Sequence, residues 1–404
     1  MTAATHGSTI GGASVEPTSG TWLSPRPNAS LPTPTELWQA VGLAAGLTLA
    51  ARLLLPLTSG FGGDDRHYIA LASSADAVVP SPFAYRVLTP WLVQMIGTSP
   101  VPTYHALTLV FLAAAGVFVY LITRGIGGGH MPALLATFGL LSVRGWLFSV
   151  WNPYLADPAA MSLTGAAFVA LVWGADLLLP VVLVVWAYSR EVWAGFALPA
   201  YAWMRLRFVD RLAIVRVAVI CLPALITMLI LFRLAPATGA SGFARATDYV
   251  VQGVLDARLD GLRFWTAYTF AGSLGIWWLL ALARPQVGRG LWWWLVPVFG
   301  QFLLGADWSR FAMYAFVVVM PVGAMAVWSH PRRNLLLVLV LLQILPTAAD
   351  LVVDGRLQLN QLQPSVWVTM TLMAATLVVL VQPYVGPHLR RAVQLFLANR
   401  QAKH

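Results

Sequence analysis

Charge is scarce in this chain. Only 10% of its 404 residues are Asp, Glu, Lys or Arg, against about 25% in an ordinary soluble domain, which excludes a water-soluble globular protein. Cysteine occurs once, at Cys221 inside an apolar run, ruling out an internal disulfide framework and a cysteine-based metal cluster. Lysine also occurs once, as Lys403, so the net charge of +10 comes almost wholly from 24 Arg. Basic residues at the ends of membrane spans set topology, and that reading displaces nucleic-acid binding as the meaning of the charge. The seven His lack metal-ligand spacing, and no Ser sits in a nucleophile elbow. No internal repeat of the kind that marks many transporters is visible. The run GIGGGH, residues 125–130, lacks the Lys and Ser/Thr of a phosphate loop and reads as a flexible turn.

What is present is apolar. With 59% hydrophobic residues, 18 Trp and a mean hydropathy of +0.74, the chain reads as an all-α, polytopic transmembrane helix bundle. Apolar runs predict about twelve spans, with ten to thirteen as the range: 37–57, 105–123, 131–150, 158–174, 177–188, 192–204, 212–232, 264–283, 291–304, 311–328, 335–349 and 366–383. Residues 1–36, rich in Ser, Thr, Pro and Gly, lack the pattern of a signal peptide and read as a disordered cytoplasmic tail before an uncleaved anchor. The bundle covers 37–383, with external loops at 58–104 and 233–263, and 384–404 form a basic cytoplasmic tail. Both external loops are expected to carry short interfacial helices.

With both termini inside, one set of connections gathers Arg124, then Arg205, Arg207, Arg211 and Arg216, then Arg284, Arg289, Arg332 and Arg333, and last Arg390, Arg391, Arg400 and Lys403. This is the positive-inside pattern. Eleven of the fifteen acidic residues fall on the opposite side. Acidic residues direct topology only weakly, so an external polar site explains them better.

Five stretches carry candidate chemistry. FGGDDRHYIA, residues 61–70, sets Asp64 and Asp65 beside Tyr68 directly after the first span. One of the two carboxylates could cap the following helix; the pair could also furnish a general base, its pKa raised by burial and a like-charged neighbour. PFAYRVLTPWL, residues 82–92, brings Tyr85 and Arg86, either as an interfacial helix with a snorkelling Arg or as a phosphate-binding fork. WNPYLADPA, residues 151–159, holds Asp157 before a proline that can open a helix, which reads first as a helix N-cap, and SREVW, residues 189–193, holds Arg190 and Glu191. GADWSRFAMYAF, residues 305–316, places Asp307 and Arg310 three apart, close enough to pair on a helix. Arg52 and Arg144 read as snorkelling residues at span ends, with Arg144 a reserve phosphate contact.

The ordered run DDRHY…PFAYRVLTPWL…NPYLADP…RE…DWSR, over about residues 37–330, resembles the GT-C superfamily of integral-membrane glycosyltransferases, in the bacterial branch that builds cell-surface glycans. The resemblance implies a bacterial plasma (inner) membrane protein that transfers sugar from a polyprenyl-phosphate-linked donor, outside the membrane, to a glycan, lipid or protein acceptor. It implies Asp64 or Asp65 as the catalytic carboxylate and Arg86, Arg310 and Arg190 as cations for the leaving phosphate. Tyr68 and Tyr85 are expected as further substrate contacts, and Asp157, Glu191 and Asp307 as supporting acids. No cofactor or metal ligand is assigned, although a divalent cation stays open, since no second acidic motif demands one. The chain departs from the oligosaccharyltransferase branch in its short external loops and in the lack of a large soluble carboxy-terminal domain. A lipid-linked-sugar flippase or transporter, and a glycan polymerase or ligase using external Arg residues, are the competing readings.

Overall fold

The structure, a computed structural model, describes residues 30–55, 63–74, 76–80, 83–97, 99–190, 211–234, 237–238, 269–288, 290–301, 308–346 and 364–401. Glu191, Asp307, the expected span 192–204 and nearly all of the second external loop lie outside the described residues.

Helix α1 (Pro34–Leu54) begins three residues before the expected span, and the reason is local. The Thr33 hydroxyl accepts from the Glu36 amide at 3.2 Å and the Thr33 amide donates to the Glu36 carboxylate at 2.8 Å. That is a capping box, with Pro34 in the first helical position. Then follow α2 (Asp65–Ser73), α3 (Leu88–Ile96), α4 (Pro100–Gly125), α5 (His130–Ser142), α6 (Arg144–Trp151), α7 (Asp157–Trp173), α8 (Leu179–Ser189) and α9 (Arg211–Leu234). The remaining helices are α10 (Trp277–Leu282), α11 (Leu295–Gly300), α12 (Trp308–Met313), α13 (Phe316–Ser329), α14 (Arg333–Leu342) and α15 (Pro364–Gln401). The last runs well past residue 383, so the expected basic tail continues a helix.

Among the described residues, four helices are long and apolar enough to cross a membrane, or five if the bent pair α5–α6 counts as one span. The 26 residues of α4 reach about 39 Å at 1.5 Å per residue, more than the roughly 30 Å of a bilayer's hydrocarbon core. Several expected spans are shorter or broken. The run 131–150 bends by 56° between α5 and α6, and 311–328 breaks at Tyr314 between α12 and α13. Helices α7, α8, α13 and α14 fall among the shorter apolar helices.

Helix α4 packs against α1, α5 and α7, while α13 lies against α5 and α10. Apolar on nearly every side, α13 is almost wholly buried, as a helix without a polar face must be. Trp277 of α10 wedges between Gly139 of α5 and Gly323 of α13, where even one added carbon on either glycine would collide with the indole. Small residues are what let helices approach so closely.

The ends of the bundle differ. Antiparallel α1 and α4 place Glu36, Arg124 and His130 together at one end, Arg124 lying 3.4 Å from Glu36. Arg211, which opens α9, and the Arg332–Arg333 turn after α13 fall at this same end. The opposite end holds residues 63–97, part of the loop expected to be external, in which α2 and α3 are the expected short helices. There β1 (Val79–Pro80) pairs in parallel with β2 (Ala237–Thr238), and Tyr85 meets the Phe232 ring edge-on at 4.7 Å. The two segments expected on one side of the membrane therefore touch.

Arg144, expected to snorkel at a span end, does not. It is 2% exposed and sits inside the protein at the α5–α6 bend.

Candidate functional site

Asp157 is the hub of the polar end. It is not the cap expected from the proline that follows: Ala156 holds the cap position, and Asp157 opens α7 without a side-chain capping bond. Its two oxygens turn instead to three other segments. Arg190, at the end of α8, and the Tyr314 hydroxyl at 2.9 Å donate to one oxygen. Arg310 of α12 donates to the other through Nε at 3.0 Å and Nη2 at 2.7 Å. Arg190 also donates to the Tyr314 hydroxyl at 3.0 Å and lies over the Phe311 and Tyr314 rings at 5.2 and 5.3 Å. Charge-assisted bonds of this kind are roughly twice as strong as neutral ones, and the helix amino terminus adds a favourable dipole. Arg310 thus takes a partner 153 positions away in sequence; Asp307, the partner that helical spacing nominated, lies outside the described residues.

The second group stands on α2. Asp65 opens that helix, is buried, and accepts from the Asn152 amide at 3.2 Å. Burial pushes the Asp65 carboxyl above its ordinary range and the Asp64 charge adds to the rise, while the Asn152 bond works the other way. Asp64 occupies the helix cap without a side-chain capping bond and is only half-buried. The capping expectation therefore fails for both carboxylates. One turn on, the Tyr68 hydroxyl lies 3.4 Å from Arg86 and the Tyr68 carbonyl accepts from Tyr104 at 2.9 Å. Burial raises the Tyr68 phenol's pKa, Arg86 lowers it, and the Asp157 and Asp64 charges raise it further.

That electrostatic reach joins the groups, since Tyr68 feels Asp157 and Arg86 acts on Asp157. Asp65, Tyr68, Arg86, Asp157, Arg190 and Arg310 are gathered at one end of the bundle, with Asp64 on the rim. Tyr85 belongs to the same end, but its ring is spent on Phe232 and on an apolar cluster with Leu71, Val79 and Ala84. Asn152 and Tyr314 complete the arrangement and were not singled out from sequence. Tyr314 had a signal, standing four residues after Arg310 and so on one helical face. Asn152 lay in the same short run as Asp157.

Among the described residues no three His, Cys, Asp or Glu side chains come together as a metal site. What is assembled can accept a proton at Asp65 and oppose an anion with guanidinium forks. No protein-family model, no curated protein and no solved structure matches this chain.

Proposed function

We propose that the protein is a GT-C-like membrane glycosyltransferase with about twelve spans, moving a sugar from a polyprenyl-phosphate carrier to an acceptor hydroxyl at the outer face of a bacterial plasma membrane. The observation that carries this reading is the placing of a buried carboxylate, Asp65, held by Asn152, and an arginine cluster held by Asp157 at the same end of the bundle, opposite Arg124 and Arg332–Arg333. By the positive-inside rule the Arg-rich end is cytoplasmic, which leaves the carboxylate and the cluster outside. Both termini are then cytoplasmic.

In this mechanism the acceptor hydroxyl gives its proton to Asp65 as its oxygen bonds to the anomeric carbon. The bond from that carbon to the phosphate oxygen breaks, and its electron pair leaves on the phosphate. Arg86, Arg190 and Arg310 oppose the charge that develops there, in a site whose apolar surroundings strengthen such contacts. Tyr68 orients Arg86, and Asp157 orients the other two arginines. The membrane lipids bring the carrier to the rim.

The test is incubation of the purified protein with a panel of polyprenyl-phosphate sugars and measurement of released carrier. Release from at least one donor is expected, and consumption of none overturns the reading. Arg310→Lys keeps a charge but loses the fork, and is expected to raise the donor KM about tenfold, the scale of one charged hydrogen bond. An unchanged donor KM removes Arg310 from donor binding.

The pH profile has a definite sign. A general base works only when ionised, so activity falls as pH drops through its pKa. Burial raises that of Asp65, placing the acid limb above the ordinary Asp value of about 3.9. Asp64→Asn removes a neighbouring negative charge and is expected to move the limb to lower pH.

A flippase is the second reading, favoured by one observation: the break between α5 and α6 with buried Arg144 beside it. Broken helices with inward charges mark transport paths. Passage of sugar-lipid across liposomes without carrier release would select it.

A further inference from the structure

The two arginines on Asp157 hold it differently. Arg310 turns its Nε–Nη2 edge to the carboxylate, both nitrogens donating to one oxygen. Arg190 uses a single nitrogen, Nη1, which donates to the other Asp157 oxygen and to the Tyr314 hydroxyl. The Nε and Nη2 of Arg190 have no hydrogen-bond partner among the described residues. Neither belongs to the partnerless side-chain atoms that are sealed from solvent, although the residue as a whole is only 4% exposed. The little of Arg190 that reaches the surface therefore includes its two-donor edge.

Three groups fix the direction of that edge. The guanidinium lies over the Phe311 and Tyr314 rings, a stacking that engages its face and leaves its edge for hydrogen bonds. The Tyr314 hydroxyl ties down Nη1. Tyr314 is itself anchored at the break between α12 and α13. In a continuous helix the Val318 amide would reach the Tyr314 carbonyl, but it bonds to Ala315 at 2.9 Å. The released carbonyl accepts from the Trp294 indole at 2.8 Å. Trp294 in turn meets the ring of Trp186, one turn before Arg190 on α8, at 6.0 Å. The helix break thus carries the hydroxyl that aims Arg190.

We propose that the Nε–Nη2 edge of Arg190 is the fork that grips the phosphate of an isoprenyl-phosphate ligand, with Tyr314 and Phe311 as its positioning residues and Arg310 chiefly a brace for Asp157. This rests on the glycosyltransferase reading and divides the work among its arginines. Two parallel N–H donors match two oxygens of one phosphate. Two guanidiniums on one carboxylate also leave a surplus positive charge, which an anion balances. An amine, which only donates as a cation, gains nothing from an edge that only donates.

The experiment titrates the purified protein, in nanodiscs of zwitterionic lipid, with citronellyl phosphate, citronellol and citronellic acid, and measures carrier release beside it. Citronellyl phosphate is expected to bind and citronellol not. Arg190→Lys is expected to weaken that binding about a hundredfold, the scale of two charged hydrogen bonds, and Tyr314→Phe about tenfold, the scale of one. Phe311→Leu is expected to weaken it too, and Phe311→Tyr, which keeps a ring, to restore it. Arg310→Lys is expected to cost less affinity than Arg190→Lys and more thermal stability. Citronellyl phosphate that binds no better than citronellol or citronellic acid overturns the phosphate fork. Full affinity in Tyr314→Phe, or equal losses in Arg190→Lys and Arg310→Lys, overturns the division of roles. Displacement of citronellyl phosphate when the nanodiscs are made of phosphatidylglycerol gives the edge to bilayer headgroups and overturns its assignment to the carrier. Release of carrier from no donor, with the binding results as expected, overturns the transferase reading and leaves the fork standing.

Discussion

Exchange of Asp65 for Asn is expected to lower the rate of the proposed sugar transfer by about 10²–10⁴-fold, the usual contribution of a positioned general base, and to leave the fold intact. The substitution preserves volume, and the new side-chain carbonyl can still accept from the Asn152 amide that now lies 3.2 Å from the carboxylate. What it removes is the capacity to take a proton. Asp64→Asn is the matched control: the two carboxylates are adjacent in sequence and equal in charge, yet Asp65 is buried against Asn152 while Asp64 stands half-buried at the helix cap without a capping bond. Its exchange is expected to shift the pH profile and to change the maximal rate only slightly. Single-turnover transfer in lipid nanodiscs, with thermal unfolding of both variants beside it, makes the comparison. An Asp65→Asn protein that transfers at the parental rate ends the assignment of Asp65 as base. A loss confined to Asp64→Asn hands the role to its neighbour.

The sequence alone could not divide that pair, and the reason is geometric. Neither residue has a helical partner at a fixed spacing, so their difference arises from Asn152, 87 positions further along. Asp157 shows the same limit. The proline after it argued for a cap, a local rule, and the hub it forms depends on Arg190 and Arg310 arriving from other segments. The gathering of Arg124, Arg211 and Arg332–Arg333 at one end was legible, because it follows from where polar residues interrupt apolar runs; most of the acidic residues expected at the other end lie outside the described residues. The α5–α6 bend was not: Val143 is extended and no proline stands at the break. Packing fixes it, with Gly145 against the Met313 side chain so closely that a further carbon would collide. The start of α1 was legible in Thr33–Glu36 but hidden by the polar composition around it.

Asp157→Asn is expected to destabilise the folded protein by about 3–5 kcal/mol, the cost of breaking a buried ion pair on one side. The carboxylate is 5% exposed and joins the end of α8, α12 and the start of α7. An amide of the same shape can accept at one oxygen only, and it cannot balance Arg190 and Arg310 in apolar surroundings. The loss therefore comes less from a missing attraction than from stranded positive charge. This makes a second expectation that a merely catalytic role for Asp157 would not give. Asp157→Leu combined with Arg190→Met and Arg310→Met removes all three charges together. Such replacements of buried ionic clusters are often neutral or stabilising, so the triple variant is expected to recover much of the stability that Asp157→Asn loses. Donor consumption is not expected to return, because two of the arginines proposed to oppose the phosphate are gone. Thermal or denaturant unfolding in one detergent, run beside the carrier-release assay, reads both quantities. A triple variant as unstable as Asp157→Asn refutes the stranded-charge account. One that recovers stability and still consumes donor removes Arg190 and Arg310 from the chemistry, and leaves Arg86 as the cation to test next.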